Sequence, residues 1–72
     1  HAGPVPVAGE PVGDAQPLVA GDAVLVEWGG SWWQATVVEA VPDQKPDGSV
    51  KIHYRGWEPQ WDEVVPRARL RK

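Results

Sequence analysis

SVKIHYR (49–55) alternates polar and apolar residues at every step, and Gly56 stops the run. A period of two places Val50, Ile52 and Tyr54 on one face, opposite Ser49, Lys51, His53 and Arg55. A strand permits that division and a helix does not. The neighbouring segments carry the same constraint. AVLVEW (23–28) is rich in β-branched residues and ends at Gly29-Gly30, a hairpin signal. SWWQATVVEAV (31–41) is a second, longer strand halted by Pro42. PDQKPDG (42–48) is a turn-rich loop in which Asp47-Gly48 supplies the positive-φ position. WDEVVP (61–66) is a short fourth strand closed by Pro66, and RARLR (67–71) has room for a 3₁₀ turn or a brief fifth strand. No segment sustains a 3.6-residue period, so helix content is expected to be minimal.

Length decides how such strands must close. The chain has 72 residues, enough for one small domain with a small core. Residues 1–17 hold four Pro and three Gly without an aromatic residue or any periodicity. That composition buries too little apolar area to offset the entropy of ordering it, which predicts a disordered N-terminal tail or flexible linker. The folded domain is then residues 18–72. Four or five short antiparallel strands in that span predict an all-β fold, a strongly bent small barrel that removes exposed edges. The chain begins with His rather than Met and reads as an excised piece, a monomeric domain of a larger protein.

Several function classes are disfavoured. With no cysteine there are no disulfides or thiolate metal sites, and His1 and His53 make no zinc site without carboxylate help. No apolar run approaches a membrane span, and no signal peptide stands out, so an intracellular setting is expected. The Ala, Gly, Val, Pro and Arg bias is that of a GC-rich bacterial genome, which would place the protein in the cytoplasm; in a eukaryote it would be nuclear. Net charge is -3, unfavourable for a polyanion binder, because phosphate contacts need a concentrated basic surface. Arg67, Arg69, Arg71 and Lys72 read as solvated charges at a fraying end. As a catalytic base His53 would need a nucleophile and an orienting acid nearby, but its place on the outward face reads as a surface histidine, and the sequence shows no phosphate loop or carboxylate pair. No enzyme is expected, and no cofactor or metal.

The aromatic residues are the functional signal. The chain has five Trp, one Tyr and no Phe. Parity aligns Val24, Val26 and Trp28 in the first strand and Trp33, Ala35 and Val37 in the second, opposite Trp32, Gln34 and Thr36. Antiparallel neighbours set the end of one strand beside the start of the next, so Trp28, Trp33 and Tyr54 gather at one mouth. The segment after Tyr54 carries Trp57 and Trp61 to the same place. Trp57, one residue past Gly56, is expected to be held by loop geometry more than by the interior. Two readings of this mouth stay open: the rings plug the barrel, or they meet a ligand.

The stretch GDAVLVEWGGSWWQATVVEA, followed by VKIHYRGWEPQWDEVVP, resembles the Tudor-knot or chromo-barrel domains of the Tudor-like, SH3-like barrels found in chromatin proteins. Ile52-His53-Tyr54-Arg55-Gly56-Trp57-Glu58-Pro59-Gln60-Trp61-Asp62-Glu63 carries the resemblance, which covers roughly residues 21–71. It implies a bent barrel with an aromatic cage for methylated lysine at Trp33, Tyr54, Trp57 and Trp61, with Trp28 where some members place another ring. Val64 stands where a further Trp is common, a position expected to be core.

Such a cage would take a methylated lysine on a partner protein, a histone-like tail in a eukaryote. Indole faces attract a methylammonium cation, which apolar packing residues do not. Glu58, between two of the rings, would be the rim acid accepting an N–H from a lower methylation state, or simply a turn residue. Asp62 is expected to cap a turn through its side chain. Two alternatives remain: a nucleic-acid-binding barrel using the C-terminal basic residues with Lys51 and Arg55, and an interaction module whose mouth is filled by its own tail or a neighbouring domain.

Overall fold

The computed structural model describes residues 3–13, 16–40 and 49–72. The 42–48 loop, with its Asp47-Gly48 turn, lies outside the described residues. Five antiparallel strands form one curled sheet in the order β4-β3-β2-β1-β5: β1 (Ala23–Trp28), β2 (Ser31–Ala40), β3 (Val50–Tyr54), β4 (Glu63–Val65) and β5 (Leu70–Arg71). Two 3₁₀ turns, Pro59–Trp61 and Arg67–Arg69, are the only helical elements among the described residues. Residues 67–71 therefore supply both a 3₁₀ turn and a fifth strand. The fourth strand starts later than its sequence indicates, because Pro59 opens a 3₁₀ turn that takes in Trp61.

Local chemistry sets the registers. Gly29 and Gly30 have φ of 61° and 82°, the pair of positive values that a two-residue hairpin turn needs to match strand twist. Trp28 consequently faces Ser31 and Val26 faces Trp33. The Glu27 carboxylate accepts the Gly30 N–H at 3.0 Å, so it is committed to this turn. After β3, Trp57 N–H donates to the Tyr54 carbonyl at 3.2 Å across Gly56, whose φ is 81°. Glycine at that third position is what such a turn demands.

The inward rows build the core. Val26, Ala35, Val50, Ile52 and Val65 are fully buried, with Val24, Val37 and Leu70 nearly so. Completely burying a Val, Leu or Ile side chain contributes roughly 1.5–3 kcal/mol. Leu18 belongs to the same cluster, and Trp33 and Trp57 pack against it while half-buried. Two positions differ from expectation, Ser49 from the alternation and Val64 from the resemblance. Ser49 is buried, because it precedes the first residue of β3 and the alternation does not yet apply. Val64 is 45% exposed and not core, since in β4 it is Val65 that turns inward.

The described part of the N-terminal segment, expected as a flexible tail, forms no extended strand of its own, yet its backbone lies along the sheet. Val5 N–H donates to the Trp32 carbonyl at 2.8 Å, and Glu10 and Lys72 exchange two backbone hydrogen bonds of 2.9 Å. Val12 is buried against the barrel. Free strand edges accept backbone partners whatever the side-chain pattern, so apolar periodicity does not register this contact.

Candidate functional site

Trp28, Trp33, Tyr54, Trp57 and Trp61 line one cavity of about 410 Å³, together with Glu63. Their approach follows from the elements just described. The hairpin sets Trp28 beside Trp33, whose indole N–H donates to the Trp28 carbonyl at 3.0 Å. The Gly56 turn brings Trp57 over Trp33, and the 3₁₀ turn sets Trp61 beside Trp57. Ring centroids are 6.1 Å apart for Trp28–Trp33, 5.8 Å for Trp33–Trp57 and 6.1 Å for Trp57–Trp61, each pair edge to face. Such pairs contribute about 0.5–1.5 kcal/mol beyond area burial. Trp28 and Trp61 remain 53% and 50% exposed at the two ends of this series. Trp57 rests on the core as well as on its loop, which a position just past a strand terminator did not suggest.

Tyr54 is buried, and its hydroxyl has no hydrogen-bond partner among the described residues. Burial pushes the phenol up to about 12, with the Glu63 carboxylate reinforcing the shift and the Arg69 guanidinium opposing it. The hydroxyl is therefore neutral at physiological pH and able to donate or accept.

The acid at the cavity is Glu63. Glu58 is exposed and outside the lining; its backbone carbonyl accepts the Trp61 N–H at 3.0 Å, closing the 3₁₀ turn. Glu63 sits opposite Ile52 in register and shares the inward face with Val65. The alternation of Glu63 with buried Val65 was the signal available in the sequence. Its Oε1 pairs with Arg69 at 3.2 Å.

Asp62 departs from the expected side-chain cap. Its backbone N–H closes the 3₁₀ turn on the Pro59 carbonyl, while its carboxylate sits 2.6 Å from His53 Nδ1. His53 is thus a partner on the flank of β3, and the pair ties the Trp57–Trp61 segment to that strand.

A family model for the Tudor-knot, described as the RNA binding activity-knot of a chromodomain, matches residues 18–72. The chain belongs to the Tudor-knot family. The NuA4 complex subunit EAF3 homolog of Drosophila melanogaster is 42% identical to it over 60 residues. That alignment covers 82% of this chain and 14% of the relative, so the chain spans a small part of that protein's length. No solved structure matches at a significant level.

In this Tudor-knot domain the C-terminal basic residues are not solvated charges at a loose end. Arg67 donates to the Gly13 and Gln16 carbonyls at 3.1 and 2.7 Å. Arg69 donates to the Glu27 carbonyl through two nitrogens, at 2.9 and 2.7 Å. Arg71 holds the Ala8 and Gly9 carbonyls at 3.2 and 2.8 Å and lies 5.9 Å over the Trp32 ring. Lys72 pairs with Asp22 at 3.0 Å, and the Asp22 carboxyl is lowered chiefly by the Val19 N–H and then by Lys72. Trp32, outward as its parity requires, belongs to this latch and not to the cavity. No described residue of the N-terminal segment lines the aromatic cavity.

Proposed function

We propose that this Tudor-knot domain is a non-catalytic binding module whose aromatic cavity recognises a methylated lysine on a partner protein. The observation carrying this reading is the unbroken series of three edge-to-face indole contacts around one cavity, with a carboxylate among the lining residues. Rings meeting edge to face cannot all be coplanar, so together they bound a volume from several directions. A methylammonium is a poorly hydrated cation of modest size, and indoles attract it more strongly than other aromatic residues do. A cavity of about 410 Å³ has room for the group and part of its alkyl stem. Likeness to a NuA4 complex subunit supports a nuclear setting and a histone-like partner.

The family's description names RNA binding, and that is the second reading. It is opposed by a net charge of -3 and by the internal partners that engage Arg67, Arg69, Arg71 and Lys72. A titration of the labelled domain with free trimethyl-lysine, unmethylated lysine and a short RNA separates the two. The indole N–H signals of Trp28, Trp33, Trp57 and Trp61 should move with the methylated ligand and stay still with lysine. Motionless indoles, or RNA affinity tighter than the non-specific range of about 10⁻⁴ to 10⁻⁶ M, would overturn the proposal.

A further inference from the structure

The cavity is not uniformly aromatic, and its polar groups bear on which ammonium it would hold. Resting on the methyl-lysine reading, we propose that Glu63 makes the site selective for an ammonium that keeps one N–H, a dimethylated lysine, over the trimethylated form.

Two of the lining residues carry polar side chains. Tyr54 lines the cavity with its ring, its hydroxyl being buried and without a hydrogen-bond partner among the described residues. Glu63 lines it with a carboxylate whose ion pair to Arg69 is made through Oε1. A carboxylate offers about four lone-pair sites across two oxygens, so the Arg69 contact leaves acceptor capacity. The other nearby acids are committed or displaced. Glu27 binds the Gly30 N–H, Asp62 binds His53, and Glu58 is outside the lining.

A trimethylammonium has no N–H and gains nothing directional from an acceptor. A dimethylammonium carries one, and a charge-assisted N–H···O⁻ hydrogen bond is about twice as strong as a neutral one. An unmethylated ammonium carries three donors, and a single carboxylate already paired with Arg69 cannot satisfy all of them inside an indole-lined cavity, where an unpaired donor is costly. The same balance ranks the monomethyl form below the dimethyl one, since it exchanges a methyl contact with indole for a second donor. Arg69 has a separate task. Holding Oε1 and the Glu27 carbonyl together, it fixes the carboxylate at the cavity and offsets part of its charge. Glu63 therefore acts as a directional acceptor more than as a counter-charge.

The test is a titration of the full chain with free mono-, di- and trimethyl-lysine, followed at the indole N–H signals, for the parent, Glu63→Gln and Glu63→Asp. The parent should bind dimethyl-lysine about three- to tenfold more tightly than trimethyl-lysine, the size of one partly solvated charge-assisted hydrogen bond. Glu63→Gln keeps the side-chain shape and should bring that ratio to within about twofold. Glu63→Asp preserves the charge toward Arg69 and withdraws the acceptor by one methylene, so it too should lower the ratio. It keeps the assignment testable if the glutamine variant does not fold. Trimethyl-lysine binding as tightly as dimethyl-lysine in the parent would overturn the selectivity while leaving the cage reading standing. An undiminished dimethyl preference in a folded Glu63 variant would remove Glu63 from the role. If none of the three ligands moves the indoles, the methyl-lysine reading itself falls, and the inference with it.

Discussion

Trp57 and Trp61 are adjacent in the same ring series but differ in what else they support, so removing each in turn separates cage from core. Trp57 makes two edge-to-face contacts, at 5.8 Å to Trp33 and 6.1 Å to Trp61, and packs half-buried on the core. At about 0.5–1.5 kcal/mol per ring pair, the contacts alone amount to roughly 1–3 kcal/mol. Truncating a fully buried Trp costs about 3–5 kcal/mol, an upper bound for a half-buried ring. Trp57→Ala should therefore destabilise the domain by about 2–3 kcal/mol, lowering the melting temperature by roughly 10–20 °C. Trp61 is 50% exposed and makes one such contact. Its removal should cost about 0.5–1.5 kcal/mol, a shift of no more than about 10 °C. Each ring contributes about 0.5–2 kcal/mol to a cation held against it, so both variants should weaken methyl-lysine binding, by several-fold to more than tenfold. The assay pairs a thermal melt with an NMR titration of free dimethyl-lysine on each variant, below its own transition. Equal melting losses for the two variants would refute the division between core and cage. Unchanged affinity in folded Trp61→Ala would remove that ring from the site.

His53→Ala should release the Trp57–Trp61 segment from β3, because the 2.6 Å contact to Asp62 is lost. A melting change of about 5 °C or less should accompany faster amide exchange over residues 57–62 and weaker dimethyl-lysine binding, whereas unchanged exchange would show that the pair does not hold the loop. For Tyr54, whose folded phenol is raised from 10.0 to about 12, the folded state favours the neutral form. Its contribution to stability is complete below pH 10 and declines as the pH rises through 12, so denaturant midpoints should fall across that window and Tyr54→Phe should flatten the fall. Gly9→Ala would set a Cβ 2.6 Å from the Lys72 carbonyl oxygen at a φ of 73°. It should detach residues 5–12 from the sheet edge while leaving the barrel folded, seen as loss of amide protection at Glu10 and Lys72 with the β1–β3 amides still protected.

The strands themselves were legible because their chemistry is local. Alternation in 49–55 separates Val50, Ile52 and Tyr54 from Lys51 and His53, and all three inward residues are buried. Gly29-Gly30 dictates a two-residue hairpin, since positive φ at both positions is inexpensive only for glycine. Once that register holds, parity alone brings Trp28 to Trp33 and sends Trp32 outward. The short connections after Tyr54 leave Trp57 and Trp61 little choice of neighbourhood. The five aromatics were accordingly readable as one group.

What the tertiary structure decided lies at long range or at element boundaries. The acid at the cavity is Glu63 and not Glu58, because Pro59 turns the chain into a 3₁₀ segment and delays β4 until Glu63, which then shares the inward face with Val65. Ser49 left its expected face because alternation holds only from the first paired residue, and sequence does not mark where pairing begins; Val64, placed in the core by the resemblance, is exposed because β4 turns Val65 inward. The C-terminal arginines reach carbonyls far away along the chain, 63 positions between Arg71 and Ala8 and 42 between Arg69 and Glu27. A guanidinium's partners are whatever oxygens the fold delivers to it, and a backbone carbonyl carries no residue signature. A run of arginines therefore reads the same whether it meets solvent, RNA or its own chain. Periodicity and turn chemistry act over a few residues and specify strands and faces from sequence alone. The carboxylate at the cavity and the latch over the sheet edge depend on groups that become neighbours only after the sheet has curled.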